Sequence, residues 1–333
     1  MSGPDPVLAL DIGGTGMRAA VVSADHRVTA RRSRPTPAAE GADAVLAAAA
    51  ELARAVRDDP AASGALAALG VGTAGVVSPD GRRVTHATAA IPGWAGTALA
   101  DQLEAALGLP VTVVGDVQGF LIGEATAGAA AGADCAVGVM AGTGIGGAVW
   151  AGGRLLRGAT GAAGHLGHIP VPGAGPRPCP CGRAGHVEAV ASGPAMTAAY
   201  RAASPDARIA DLRDVAGLAH AGDPVARRTL SDGGRALGTA LAGVVATVDP
   251  QVVVLSGGVM ASGPWYAAGV RDALPPAALP ALAGVRVATA ALGPDAVLVG
   301  AAESTRKPVV RPARMPSRET PATTALTTET SRR

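Results

Sequence analysis

Three times along this chain an apolar run stops on a cluster of glycines. Val7 to Leu10 runs into Asp11-Ile12-Gly13-Gly14-Thr15. Cys135 to Met140 runs into Gly142-Thr143-Gly144-Ile145-Gly146-Gly147, and Val252 to Leu255 into Ser256-Gly257-Gly258. A short apolar run bounded by turn residues reads as a buried strand. Glycines without Cβ let backbone N–H groups approach phosphate oxygens closely, and a Thr hydroxyl adds a donor. Three such turns imply a nucleotide held between two lobes. Asp11, at a strand end, is placed to hold Mg²⁺ through water. The second turn is followed by more strand (Ala148 to Trp150), with no Gly-Lys-Ser/Thr and no helix after it. It is therefore neither a P-loop nor a dinucleotide fingerprint, and fits a β-turn-β phosphate cradle. The alternatives are an ordinary hairpin turn for the first site and a loop glycine pair for the third.

The remaining elements alternate. Strands are expected at 18–23, 27–32, 66–72, 111–114 and 285–289. Helices are expected at 42–57, 97–107, 117–130, 187–200, 224–248, 266–274 and 295–305, with Gly108 stopping the second. This is an α/β class with helices covering sheets. Hydrophobic residues make up 48% of the 333 but aromatics only 2%, so the core must be built from Ala, Val, Leu and Ile. The formal charge of +2, with 28 basic against 26 acidic residues, gives no basic face for nucleic acid. Three cysteines cannot make a disulfide framework and point to a reducing compartment. Neither a signal peptide nor an apolar span of about 18 residues is evident, which gives a cytoplasmic, membrane-free expectation. Residues 306–333 turn rich in Thr, Pro, Ser and Arg and read as a disordered tail.

Four segments together, in this order, resemble the ROK family of sugar kinases and repressors. They are Asp11 to Thr15, Gly115 to Glu124, Gly142 to Gly147, and Ala163 to Ser192 with its Gly-His, Cys-x-Cys-Gly and Glu-Ala-x-Ala-Ser-Gly signatures. The resemblance runs from Val7 to Ala302. It implies the two-lobed actin-like ATPase (ribonuclease H-like) fold, ATP with Mg²⁺, a small-molecule sugar substrate, a structural Zn²⁺ and a homodimer. The expected lobes are 1–116, completed by 290–305, and 117–289, carrying a zinc loop at 165–188.

In that resemblance Asp116 falls on the catalytic base. A sugar hydroxyl must lose a proton as it attacks the γ-phosphorus, and a positioned carboxylate can accept it. A helix N-cap is the other role open to Asp116. The nucleotide would rest on Asp11, Gly13, Gly14, Thr15, Gly142, Thr143, Gly144, Gly257 and Gly258. The family's zinc takes one His and three Cys. Here His168, Cys179 and Cys181 match, while His186 stands at the third Cys position, leaving a feasible His₂Cys₂ set. An exposed loop histidine is the plain alternative for His186. Sugar contacts would come from Gly93, Gln118, His165, His168 and Glu188. The family's glucokinases carry Glu where this chain has His165, and its N-acetylmannosamine kinases carry His. Gln118 also fits the second group. A neutral imidazole can donate to an acetamido carbonyl, as a carboxylate cannot. Two family Asn residues are missing, replaced by Gly115 and Ala90, and each loss removes a side-chain amide. The expected activity is ATP-dependent phosphorylation of the 6-hydroxyl of a hexose or N-acylhexosamine, N-acetylmannosamine ahead of glucose. The alternative is a non-catalytic sugar-binding or regulatory relative. A repressor is disfavoured, because Asp11 lies too early for a helix-turn-helix to precede it.

Overall fold

The computed structural model describes residues 5–62 and 64–306. Two five-stranded sheets carry the fold. The first is built from β1 (Val7–Ile12), β2 (Gly16–Val22), β3 (Val28–Pro35), β4 (Leu69–Thr73) and β7 (Val111–Gly115), in the order β3-β2-β1-β4-β7. β5 (Val76–Val77) and β6 (Val84–His86) form a small hairpin beside it. The second sheet uses β8 (Cys135–Ala141), β9 (Ile145–Ala151), β10 (Arg154–Leu155), β11 (Val252–Ser256) and β12 (Arg286–Thr289), in the order β10-β9-β8-β11-β12. In each sheet the central strand pairs antiparallel with the strand after its glycine turn, and parallel with its other neighbour. The one plan therefore occurs twice.

Nine helices cover the sheets among the described residues: α1 (Ala42–Arg57), α2 (Leu99–Leu107), α3 (Asp116–Ala127), α4 (Glu188–Ala191), α5 (Gly193–Ala203), α6 (Leu212–His220), α7 (Pro224–Val248), α8 (Pro264–Ala277) and α9 (Ala296–Arg306). α1 and α2 bury Val45, Leu52, Leu99 and Leu103 against the first sheet. α4 to α8 bury Met196, Leu230, Leu241 and Tyr266 with the second. Between the sheets, Phe120 and Leu121 of α3 join Val254 and Val297 in a third core.

α9 returns the chain from the second sheet to the first, where Leu298 and Ala302 pack with Val7 and Ala20. α3 and α9 meet backbone to backbone. A Cβ on Gly300 would overlap the Gly119 carbonyl, and one on Gly123 would overlap the Ala296 carbonyl. The fully buried Glu124 braces the joint, accepting from Ala129 N (2.7 Å), Ala291 N (3.0 Å) and Leu292 N (2.9 Å).

Several expectations need correction. The helix expected over 187–200 is broken: Ser192 is extended (ψ 161°) and caps α5, because Pro194 disfavours helical continuity. α6 was not expected, although Asp211 caps it and Asp214 completes a capping box. Of the expected tail, Arg306 belongs to α9, donating to the Val22 and Ser23 carbonyls; 307–333 lies outside the described residues. No helix among those described is long and apolar enough to cross a membrane.

Candidate active site

The first glycine turn is tight, with Gly13 N donating to Gly16 O (3.0 Å). It joins β1 to β2 so that Asp11 and Arg18 stand directly opposite each other. Their side chains meet: Arg18 Nη2 donates to Asp11 Oδ2 at 2.6 Å, and Nη1 to Pro294 O at 2.9 Å. Burial pushes the Asp11 carboxyl above its ordinary range, and Arg18 pulls it back.

Asp116 opens α3 at the end of β7. Its Oδ1 accepts from its neighbour Val117 N at 2.8 Å. The N-cap position belongs to Gly115, so Asp116 is the first helical residue and not the cap. Asp11, Gly13, Thr15, Arg18 and Asp116 line one cavity of about 600 Å³, with Met140 of β8 on its far wall. Burial there, with the nearby Asp11 charge adding, pushes the Asp116 carboxyl up to about 6. A carboxyl titrating near neutrality, in a cavity beside a glycine turn, is suited to accept a proton from a substrate hydroxyl.

The second turn is shorter than the sequence suggests. Ile145 already pairs with Ala141 and Gly146 with Met140, so the loop proper is Gly142-Thr143-Gly144. Gly146 and Gly147 are strand residues. A Cβ on Gly146 would strike Val117, so this glycine lets β9 lie against the start of α3. Gly142 and Thr143 open onto a pocket of about 630 Å³ walled by Pro194, Thr197, Leu212 and Ala216, with Gly258 opposite. Nothing lies within 4 Å of where a Cβ on Gly142 would stand, so a ligand has room there. Gly257 (φ 96°) backs this pocket against Ala141. Met140, two residues before Gly142, lines the Asp116 cavity, so the end of β8 lies between residues that line the two cavities. The α5 and α6 walls were not read from the sequence, where only the glycines carried a signal.

Around the second turn the substrate candidates separate. The buried Glu188 accepts from Ile145 N at 2.7 Å and stands behind the turn, 2.6 Å from where a Cβ on Gly144 would sit. Gln118 is also buried, and both ends of its amide have backbone partners. Oε1 accepts from Gly115 N (3.1 Å) and Nε2 donates to Gly161 O (3.1 Å). It thus fastens the catalytic turn to the loop that carries His165. His165 is exposed, with Nδ1 2.9 Å from Ala162 O. A carbonyl only accepts, so Nδ1 carries the proton and Nε2 of the neutral ring is an acceptor. That geometry suits a sugar hydroxyl or an amide N–H, and not the acetamido carbonyl expected from the sequence. Gly93 (φ 76°) lies exposed between β6 and α2; neither it nor His165 lines the Asp116 cavity. Ala90, where a family Asn is missing, packs 3.7 Å from where a Cβ on Gly14 would sit.

His168, Cys179, Cys181 and His186 converge, each offering a ligand atom within 4.8 Å of the others. Cys179 Sγ is 3.6 Å from His168 Nδ1, and Cys181 Sγ is 3.3 Å from His186 Nδ1. These spacings approach those of tetrahedral Zn²⁺ with bonds of about 2.0–2.3 Å. The loop is pinned for the purpose by bridges between Pro170 and His186 and between Pro178 and Ala184. Burial pushes the Cys179 thiol up to about 11, so a cation is needed to hold it as thiolate. The donor set fits the ion.

A family model for the ROK family matches residues 7–307. An N-acetylmannosamine kinase of Citrobacter koseri is 37% identical over 299 residues, 89% of this chain and 97% of that protein. The bifunctional enzyme NanE/NanK of Brucella suis is also 37% identical over 299 residues, though the chain spans only 53% of its length. Among solved structures, a ROK hexokinase from Thermus thermophilus matches with a TM-score of 0.77 at 35% identity, over 89% of this chain and 96% of that one. A ROK family glucokinase from Streptomyces griseus in complex with glucose and AMPPNP matches with a TM-score of 0.76 at 29% identity, over 90% and 98%.

Proposed function

The chain belongs to the ROK family, and from that premise we propose that it is an ATP-dependent sugar kinase acting on the 6-hydroxyl of N-acetylmannosamine or a close hexose. The observation that carries this reading is Asp116, titrating near 6 in the cavity walled by the first glycine turn. Asp116 takes the hydroxyl proton as the sugar oxygen forms its bond to the γ-phosphorus. The bond from that phosphorus to the β-phosphate bridge breaks, and ADP leaves with its electron pair. Adenosine fits the pocket between Gly142 and Gly258, and its phosphates reach the Asp116 cavity past Met140. Asp11 is the carboxylate placed toward Mg²⁺, which neutralises developing charge when bound. His168, Cys179, Cys181 and His186 would hold a structural zinc.

N-acetylmannosamine is favoured over glucose by two features. The relatives of that name are 35–37% identical to this chain, and His165, whose free Nε2 can accept from an acetamido N–H, stands where the family's glucokinases carry a carboxylate. The lobes divide at 116, with 290–305 returning to the first. A homodimer, cytoplasmic placement and no nucleic-acid binding complete the reading, in keeping with the balanced charge and three unpaired cysteines.

The test is sugar-dependent ADP release over glucose, mannose, N-acetylmannosamine, N-acetylglucosamine and allose. N-acetylmannosamine should give the highest kcat/KM, and Asp116→Asn should lose at least about 10³-fold in kcat. Sugar binding without turnover in the wild type would favour the non-catalytic alternative.

A further inference from the structure

The cavity that holds Asp116 also holds a guanidinium to which the sequence gave no role. Arg18 lines it beside Thr15 and Gly13. The structure gives acceptors to two of its five N–H groups, Asp11 Oδ2 and Pro294 O. Three remain for a ligand, and the side chain is 40% exposed while that of Asp11 is 8% exposed. The other arginine on this wall, Arg34, is engaged at 2.9 Å by Glu51 outside the cavity. The sequence holds a single lysine, Lys307, beyond the end of α9. Among the described residues, the side-chain cations lining this cavity are both arginines.

We propose that Arg18 is a catalytic residue of the phosphoryl transfer, its guanidinium donating to the γ-phosphate oxygens while Asp11 fixes its orientation from the facing strand. The proposal rests on the sugar-kinase reading above. During transfer, charge is spread over three equatorial oxygens, and a preorganised planar donor is worth most where water is excluded. Arginine stays protonated throughout and presents its donors as a rigid fork, so it supplies charge without exchanging a proton. The proton of the sugar hydroxyl still goes to Asp116. The cross-strand pairing of Asp11 with Arg18 explains why the cation stands at the third residue after Thr15: the turn brings only that residue opposite Asp11.

Wild type, Arg18→Gln and Arg18→Lys are compared by calorimetric titration with ADP and with AMPPNP in Mg²⁺, and by sugar-dependent ADP release. Arg18→Gln should bind ADP within twofold of wild type and AMPPNP about tenfold more weakly. Its kcat should fall about 10²–10³-fold, the range for losing one preorganised donor, with the sugar KM within threefold. Arg18→Lys should keep AMPPNP affinity yet lose at least about tenfold in kcat, having charge but no fork. Equal binding of AMPPNP by wild type and Arg18→Gln overturns the proposal. So does a parallel loss of ADP and AMPPNP affinity, the mark of a role other than holding the γ-phosphate. Should Arg18→Gln fail to fold, an undiminished kcat in Arg18→Lys overturns it. If the wild type shows no sugar-dependent turnover, the kinase reading fails, and the ADP-against-AMPPNP contrast still decides whether Arg18 meets the γ-phosphate.

Discussion

The two glycine turns occupy the same place in two sheets of the same order, yet they carry opposite chemistry. At the end of β1 the facing pair is Asp11 and Arg18; at the end of β8 it is Met140 and Gly146. One turn presents buried charge to a cavity shared with Asp116. The other presents backbone and the Thr143 hydroxyl to a pocket whose charged lining, Arg201, Asp211 and Arg213, comes from other elements, and a buried carboxylate, Glu188, stands behind it accepting from Ile145 N. A repeated plan thus yields a reactive end and a gripping end. The division follows from side chains at equivalent positions, not from any difference in topology.

The largest way to break this comparison is through pH. Asp116 must be ionised to accept a proton, and its carboxyl titrates at about 6. We expect log kcat/KM to rise with unit slope up to about pH 6, so that about two decades are lost by pH 4. A profile flat from pH 5 to 8 would remove Asp116 as the base. The stability sign is opposite. A carboxyl raised from 3.8 in the unfolded chain binds its proton more tightly when folded, so its ionisation costs stability as pH rises through the window from 3.8 to 6. Asp116→Asn should therefore melt no lower than wild type at pH 7.

A smaller effect contrasts the turns themselves. Gly144→Ala brings a Cβ within 2.6 Å of Glu188 Oε2, whereas Gly14→Ala meets only Ala90 at an ordinary 3.7 Å. Denaturant melts should show Gly144→Ala destabilised by about 1–3 kcal/mol, the usual range for overpacking, and Gly14→Ala near neutral. Equal losses would mean the second turn is not braced by Glu188. The smallest and most local effect concerns the metal. Chelation should release about one zinc per chain and loosen amide-exchange protection over 165–188, leaving β1, β2 and β4 protected. Protection unchanged on both sides would sink the zinc assignment.

Much of this was legible from residue order. α1 and α7 have the expected bounds because apolar periodicity and, for α7, the Asp223 cap with Pro224 mark them locally. The three turns were legible because glycine clusters after apolar runs have few other uses. What was not legible depends mostly on partners remote in sequence. Arg18 gains meaning only when the β1–β2 register sets it opposite Asp11. Gln118 reads as a sugar contact until Gly161, 43 residues away, takes its amide. α6 carries its own capping box, and that signal was overlooked among the polar residues around it.

The seam where α3 meets α9 has an evolutionary consequence. Most packed joints can drift by exchange: one side grows while the other shrinks, and volume is kept. Gly123 and Gly300 leave nothing to shrink, since a Cβ added to either overlaps a backbone carbonyl of the opposite helix. Every substitution there is an enlargement with no complementary reduction available. The packing of α3 on α9 can therefore lose its fit by single changes but has no neutral path along which to re-form it.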